Sequence, residues 1–169
     1  MKIRRERSAD FEEIRHLNDL AFAGPVEGSI VDALRERCPD ILSLVAVEGE
    51  TVVGHLFFSP VAVDGLNGTE AMGLGPMAVL PARQKRGIGA ALIASGIAEL
   101  EQTGCVLVVV LGHAGYYPRF GFVPASRYGL RCQWDGVPDE AFMARFLDPA
   151  RSGSASGTVR YRKEFDAAG

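Results

Sequence analysis

The sequence of 169 residues predicts one domain of mixed α/β class. Two β-rich runs, 41–47 and 51–63, follow each other closely, as the strands of a meander do. Further along, a helical pattern over 88–102 leads into the apolar run 106–111, which is the order of a helical crossover between strands. A chain of this length with 47% apolar residues can bury about two thirds of its unfolded surface. It therefore needs no disulfides for stability.

The first part of the chain predicts a strand and two helices. Residues 3–7 are typical of a short strand. Asp10, followed three places later by Glu13, resembles a capping box at the start of a helix that reaches about Phe22. A second helix is predicted over 26–37, where apolar residues recur at helical spacing.

The middle of the chain predicts a hairpin and a further strand. Glu48-Gly49-Glu50 is a turn sequence that joins the runs 41–47 and 51–63. Another strand covers 71–79 and contains Pro76, which cannot donate a hydrogen bond to a neighbouring strand. We therefore expect a bulge at Pro76.

The last part of the chain predicts a short helix near Tyr116 and closing strands around Phe122 and over about 157–165. Residues 148–157 are rich in serine and glycine and predict an exposed loop before the final strand.

Composition and charge exclude several classes of protein. The net charge of −3 argues against a general nucleic-acid-binding protein, which needs a basic face. The three cysteines lack the spacing of a disulfide framework or a zinc site, so no metal is predicted. Neither a signal peptide nor an apolar run of about twenty residues is visible, so we expect a cytoplasmic protein without a membrane span.

A basic glycine loop after the strand 71–79 has the elements of an anion-binding site. A helix that opens at 87–90 leaves its first backbone N–H groups unpaired and its dipole positive, and glycines let a phosphate come close to the main chain. Arg83, Lys85 and Arg86 add positive charge to this loop. The segment predicts a phosphorylated ligand at the end of a strand.

Two common glycine loops do not fit this segment. A Walker loop ends in Gly-Lys-Ser/Thr, which is not present. A dinucleotide fingerprint needs a third glycine near position 92, where Leu92 stands, and an acidic residue on the next strand, where the apolar run 106–111 lies.

Two sequence blocks instead resemble those of one family. The loop Gln84-Lys85-Arg86-Gly87-Ile88-Gly89 fits the pattern Gln/Arg-x-x-Gly-x-Gly/Ala and follows a strand that ends in Met77-Ala78-Val79. The block 112–122 contains a Tyr-x-x-x-Gly-Phe element that begins at Tyr117. With these blocks in this order, residues 2–130 resemble the GNAT superfamily of acetyl-CoA-dependent N-acetyltransferases.

The resemblance implies a fold and a co-substrate. The fold is a largely antiparallel central sheet with a splayed fourth strand and flanking helices, here one N-acetyltransferase domain over 1–169 that closes with the strand at about 157–165. The co-substrate is acetyl-CoA, whose amide-bearing arm pairs with the main chain of the splayed strand. The implied cofactor-binding residues are Met77, Ala78, Val79, Gln84, Lys85, Arg86, Gly87, Ile88, Gly89 and Ala90.

The resemblance also implies direct transfer of acetyl to a primary amine. Tyr117 matches the tyrosine that supplies a proton to the departing coenzyme thiolate in many members. A main-chain N–H within 77–79 is the simplest partner for the oxyanion. The general base is open, because the chain has Gly75-Pro76-Met77 where many relatives place a glutamate. Glu27, His55 and bulk water are the candidates, with His113 as a weaker one.

The acceptor is not identified by any motif, and small-molecule and peptide amines both remain open. The segments 21–25 and 133–136 are candidates to border its pocket, although Trp134 is also typical of a half-buried packing residue. Two alternatives to the enzyme stay open: a non-catalytic acyl-CoA-binding or regulatory module, and an α/β protein whose loop holds another nucleotide or nothing. Monomer and homodimer are both compatible with the sequence.

Overall fold

A computed structural model describes residues 1–168 of the chain. It contains ten strands and three α-helices, joined by short 3₁₀ turns. The strands are β1 (Lys2–Arg5), β2 (Leu42–Glu48), β3 (Thr51–Pro60), β4 (Ala62–Asp64), β5 (Ala71–Val79), β6 (Leu107–Leu111), β7 (Val123–Pro124), β8 (Leu130–Cys132), β9 (Phe142–Phe146) and β10 (Ser156–Arg160). The helices are α1 (Phe11–Ala21), α2 (Val26–Arg37) and α3 (Ile88–Gln102).

Seven of the strands form one main sheet in the order β1-β2-β3-β5-β6-β9-β7. Its neighbours are antiparallel except β5 and β6, which run parallel and are joined through α3. The remaining strands form a small sheet in the order β4-β10-β8. This architecture confirms the predicted mixed, largely antiparallel sheet with flanking helices, in which β5 is the fourth strand along the main sheet.

The two faces of the main sheet are covered by different elements. Leu56 and Phe58 of β3 pack with Ile93 of α3, so we call this side the α3 face. Phe57 points the other way, because side chains alternate along a strand, and it packs with apolar residues of α1 and α2. Val109 of β6 packs toward the small sheet on the same side. We call this second side the α1/α2 face.

The main sheet opens between β5 and β6. Their parallel pairing runs from Ala71–Leu107 to Leu74–Val110, whereas β5 continues along β3 as far as Val79. A shift of register lies opposite Phe57, between the pairs of Leu74 and Met77, which confirms the bulge expected at Pro76. Past Leu74, β5 and β6 therefore diverge and leave a gap in the sheet.

The C-terminal strand is shorter than the sequence predicted. We expected a strand over about 157–165, but β10 ends at Arg160 and the chain turns into a 3₁₀ segment, Lys163–Ala168. At Tyr161 the backbone N–H donates to the side-chain oxygen of Gln133 rather than to a neighbouring strand. This change of partner ends the strand and directs the following aromatic side chains elsewhere.

One further expectation was wrong, and one strand was not predicted. Asp10 does not cap α1 together with Glu13; its carboxylate accepts from the Arg7 N–H at 2.7 Å and from the Arg4 guanidinium, while Glu13 accepts from the Val52 N–H. The sequence reading also gave no strand over Phe142–Phe146, which pairs with β6 in the main sheet.

Candidate active site

The gap between β5 and β6 opens into a large cavity. Its volume is about 1410 Å³, which exceeds the roughly 300–1,000 Å³ typical of a pocket for one small ligand. The lining comes from both faces of the main sheet: α3 and its preceding loop on one side, and α2 with the C-terminal segment on the other. The cavity therefore passes through the sheet and has room for two reactants.

The start of α3 forms the end of the cavity on the α3 face. Gly87 precedes the helix with φ +81°, in the left-handed region, and the first helical hydrogen bond runs from the Ala91 N–H to the Gly87 carbonyl. The N–H groups of Ile88, Gly89 and Ala90 thus begin the helix without intrahelical acceptors, and these residues line the cavity. This end is suited to an anionic group.

One ion pair connects the basic loop before α3 to Glu48 at the end of β2. Arg83 donates from Nε to Glu48 at 3.0 Å. Lys85 lines the cavity and has φ +63°, a conformation that lysine seldom adopts and that costs roughly 1–2 kcal/mol. Arg86 is exposed and lies outside the lining. The charge of Arg83 is therefore partly matched, and Lys85 is the cation most directly placed toward a ligand.

Tyr117 follows β6 and stands at the cavity with its ring buried. Only 7% of the residue is exposed, and its ring packs edge-on against Tyr116 and Phe122. Burial raises the pKa of the Tyr117 phenol to about 12, with a smaller contribution from Tyr116. The phenol is thus a protonated donor at neutral pH.

Tyr116 connects this motif to the start of α3. A β-carbon on Gly89 would stand 2.7 Å from the Tyr116 hydroxyl, so this hydroxyl lies directly over the first turn of the helix. The Arg119 guanidinium stacks over the Tyr116 ring at 4.8 Å from its centroid, and Arg119 also lines the cavity. Sequence reasoning missed Arg119, although its place inside the second motif was a usable signal.

An aromatic wall borders the cavity on the α1/α2 face. Trp134 stacks on Tyr161 with centroids 5.1 Å apart, and Tyr161 contacts Phe165 edge-on at 5.3 Å. Phe165 in turn packs against the cluster that contains Ile30 of α2. The sequence reading singled out Trp134 but missed Tyr161 and Phe165, because it assigned both to a regular strand.

Two carboxylates line the cavity on this second side. Glu27 lies in the first turn of α2 and Asp135 follows Trp134. Phe22, in the segment before α2, completes this border and is 40% exposed. Both segments that the sequence nominated for the acceptor pocket, 21–25 and 133–136, thus contribute lining residues.

His55 does not reach the cavity, so it is wrong as a candidate base. Its side chain is fully buried on the α1/α2 face, 2.9 Å from Ser43 Oγ and 3.2 Å from Asn18 Nδ2. Burial lowers the pKa of His55 to about 4. His113, by contrast, is exposed and lines the cavity.

The predicted cofactor-binding residues lie together around the start of α3 and the end of β5. Those whose atoms line the cavity are Met77, Val79, Gln84, Lys85, Gly87, Ile88, Gly89 and Ala90. Ala78 stands opposite His55 in the strand register, which turns its side chain to the α1/α2 face. Within residues 1–168, no group of three or more His, Cys, Asp or Glu side chains is arranged to hold a metal, and no helix has the length and apolar character to cross a membrane.

Most of the chain matches a known protein family. A family model described as an acetyltransferase (GNAT) domain matches residues 2–125. The chain belongs to the GNAT acetyltransferases. The GNAT chain is also similar to the uncharacterized N-acetyltransferase YjhQ of Escherichia coli (strain K12), at 39% identity over 121 residues, 70% of this chain and 67% of YjhQ.

Two solved GNAT structures resemble this acyltransferase over nearly its whole length. YhbS of Escherichia coli, solved in complex with CoA, has 32% identity and a TM-score of 0.91, covering 98% of this chain and 91% of YhbS. A GNAT acetyltransferase of Brucella melitensis, solved with acetyl-CoA, has 40% identity and a TM-score of 0.81, covering 98% of this chain and 97% of that protein.

Proposed function

We propose that this GNAT enzyme transfers acetyl from acetyl-CoA to a primary amine inside the cavity between β5 and β6. The observation that carries the proposal is the passage through the sheet. It joins the anion-binding start of α3 on one face to an acidic and aromatic wall on the other. Donor and acceptor would enter from opposite faces and meet beside Tyr117.

The α3 end is assigned to the coenzyme. The free N–H groups at Gly87–Ala90, with Gln84 and Lys85, would bind its phosphates, and Arg86, which lies outside the lining, would add positive charge nearby. Two relatives that carry CoA or acetyl-CoA share this fold at 32% and 40% identity, which supports the assignment. The loop sequence by itself predicts a phosphorylated ligand at this end.

The end of β5 is assigned to the arm of the coenzyme. Past Leu74 the edge of β5 that faces β6 pairs with no strand of residues 1–168, because the β5–β6 pairing stops there. Main-chain groups of Met77, Ala78 and Val79 would pair with the amides of the arm as an added strand does. An N–H within the same segment would stabilise the oxyanion.

The proposed reaction is direct attack. The neutral amine nitrogen forms a bond to the thioester carbonyl carbon, the tetrahedral intermediate collapses, and the carbon–sulfur bond breaks. Tyr117 donates its phenolic proton to the departing sulfur, since its raised pKa keeps that proton in place at neutral pH. The attacking nitrogen loses its extra proton to the base, and the Tyr117 phenolate regains a proton from water. The products are the acetylated amine and CoA.

The amine must also lose protons. An amine of pKa about 10 is only about one part in a thousand neutral at pH 7, so a base or water must accept a proton. Glu27 and His113 line the cavity, and we assign this step to Glu27 or to water that Glu27 orients. His55 takes no part.

The test is calorimetric titration of the protein with acetyl-CoA, CoA, ATP and NAD. We expect selective binding of the two CoA species, weakened by about tenfold or more when Lys85 and Arg86 are both changed to alanine. The double variant Arg127→Ala, Arg131→Ala removes the same charge from exposed positions outside the lining and should leave binding unchanged. Equal binding of all four nucleotides, or none, would contradict the proposal.

A further inference from the structure

We infer that the acceptor is a primary amine that carries an apolar group as large as an aromatic ring and has no carboxylate next to the amine. The inference rests on the proposed function and concerns the α1/α2 side of the cavity. It follows from two properties of that side, its charge and its aromatic surface.

Charge is divided between the two ends of the cavity. Among the lining residues that the structure describes, arginine and lysine occur only beside α3, as Arg83, Lys85 and Arg119. The acceptor side carries Glu27 and Asp135 instead. An ammonium group is attracted to these carboxylates, whereas a substrate carboxylate meets like charge and has no cation to pair with. This pattern selects against free amino acids.

The aromatic surface selects for an apolar group. Trp134, Tyr161 and Phe165 form a continuous wall by ring contacts, and each of the three residues is only partly buried. Phe22 leaves 40% of its surface exposed at the same cavity. Aromatic faces that line a concave site are typical of binding to apolar ligand surface, with a few polar groups fixing orientation.

Together these properties also select against polycations without an apolar body. Such amines would form ion pairs with Glu27 and Asp135, but they would leave the aromatic side chains of the wall exposed to water. An apolar amine and the amino end of a peptide with an aromatic first residue share the required chemistry, since a peptide has an amide in place of the carboxylate. The experiment therefore includes a compound of each kind.

The test compares four amines in a CoA-release assay with saturating acetyl-CoA: 2-phenylethylamine, phenylalaninamide, phenylalanine and spermidine. We expect kcat/KM for 2-phenylethylamine to exceed that for phenylalanine and for spermidine by about tenfold or more. Activity with phenylalaninamide equal to or above that with 2-phenylethylamine would point to peptide-like acceptors within the same class. Preference for phenylalanine or spermidine, or no turnover of any of the four, would overturn the inference.

Single variants test the contributions of the carboxylates and of the aromatic wall to amine selectivity separately. Asp135→Asn and Glu27→Gln should each lower the ratio of kcat/KM between 2-phenylethylamine and phenylalanine by several-fold. A ratio is the appropriate readout, because loss of a base at Glu27 would slow both amines alike. Trp134→Ala should raise KM for 2-phenylethylamine. Asp139→Asn changes an exposed acid outside the lining and should leave the ratio unchanged.

Binding of acetyl-CoA, measured by calorimetry on the same preparations, distinguishes failure of the inferred substrate class from failure of the proposed function. If acetyl-CoA binds but the order of the amines is reversed, the substrate class is wrong and the proposed function stands. If acetyl-CoA does not bind, the proposed function fails first.

Discussion

Gly112 lies so close to the ring of Tyr117 that a β-carbon built on Gly112 would stand 2.6 Å from Cε2 of that ring. Real β-carbons do not approach other atoms so closely, so any larger residue would displace the ring or the backbone. Gly112 directly follows β6, at the edge of the gap in the main sheet. The absence of a side chain there sets where the Tyr117 phenol stands in the cavity.

We therefore expect Gly112→Ala to slow turnover. In the proposed mechanism a displaced phenol would no longer meet the departing sulfur, and a small misplacement of a catalytic group can reduce kcat by roughly one to two orders of magnitude. Steady-state kinetics with the best amine of the panel would measure this, with acetyl-CoA affinity measured beside it. Gly153→Ala is the matched control, because no atom of the neighbouring described residues lies within 4 Å of its β-carbon position. Equal losses in both variants would contradict the prediction.

Tyr117→Phe tests the proton donor directly. We expect kcat to fall by about 10²-fold or more, the usual contribution of a general acid, with acetyl-CoA affinity little changed. Because burial raises the pKa of Tyr117 to about 12, the phenol stays protonated in alkaline solution. The kcat of the unmodified enzyme should therefore show no loss assignable to Tyr117 between pH 7 and about pH 10.

The control for this variant is Tyr128→Phe, since Tyr128 packs against Phe146 away from the cavity lining. A decline of kcat with an apparent pKa near 10, absent from the Tyr117→Phe variant, would show that the phenol titrates in its ordinary range.

Gly89→Ala tests the start of α3. Its β-carbon would stand 2.7 Å from the Tyr116 hydroxyl and 3.5 Å from the end of the Met77 side chain, inside the cavity lining. We expect Kd for acetyl-CoA to rise by about tenfold, equivalent to about 1.4 kcal/mol. The melting temperature should not fall, because alanine favours a helix over glycine and the tyrosine can move. Unchanged affinity would place the coenzyme elsewhere.

His55 should make the protein less stable in acid. The Asn18 amide nitrogen donates to the Ile14 carbonyl and faces His55 Nδ1 at 3.2 Å, so Nδ1 must accept and the ring is neutral. The pKa of His55 is about 4 in the folded state and about 6.5 in the unfolded state, which therefore takes up the proton first. As pH falls from about 6.5 to about 4, the free energy of unfolding should drop by about 3 kcal/mol.

Chemical denaturation at several pH values would measure this drop. In His55→Gln the part of the drop that belongs to His55 should disappear, although the variant is less stable throughout. His16→Gln, which changes an exposed histidine of α1, should keep the pH dependence of the unmodified protein. The prediction fails if all three proteins lose the same free energy over this interval.

Elements with strong local signals were predicted closely from the sequence. The helix over 26–37 and the helix that opens after Gly87 have the predicted bounds, because helical spacing and a glycine turn act between residues that are near in the chain. The strand over 71–79 and its bulge at Pro76 were also predicted, since a proline cannot donate to a strand neighbour wherever the strand lies.

Other elements depend on pairing partners that are distant in the chain and cannot be identified from the local sequence. The strand Phe142–Phe146 lies between β6 and β7 in the main sheet, although both precede it in the chain. The end of β10 is set by Gln133, which takes the Tyr161 N–H away from strand pairing. Such strand positions and strand ends depend on distant residues and produce no periodic pattern in the local sequence.

The sequence by itself determined the family resemblance, the basic glycine loop before α3 and the tyrosine of the second motif, because each is a short pattern whose parts are adjacent in the chain. Only the tertiary structure decided that Glu27, Trp134 and Asp135 border one cavity with Tyr117, and that His55 does not. The physical reason is that this cavity exists where the pairing of β5 and β6 stops, and a gap between two strands is a property of their arrangement in space.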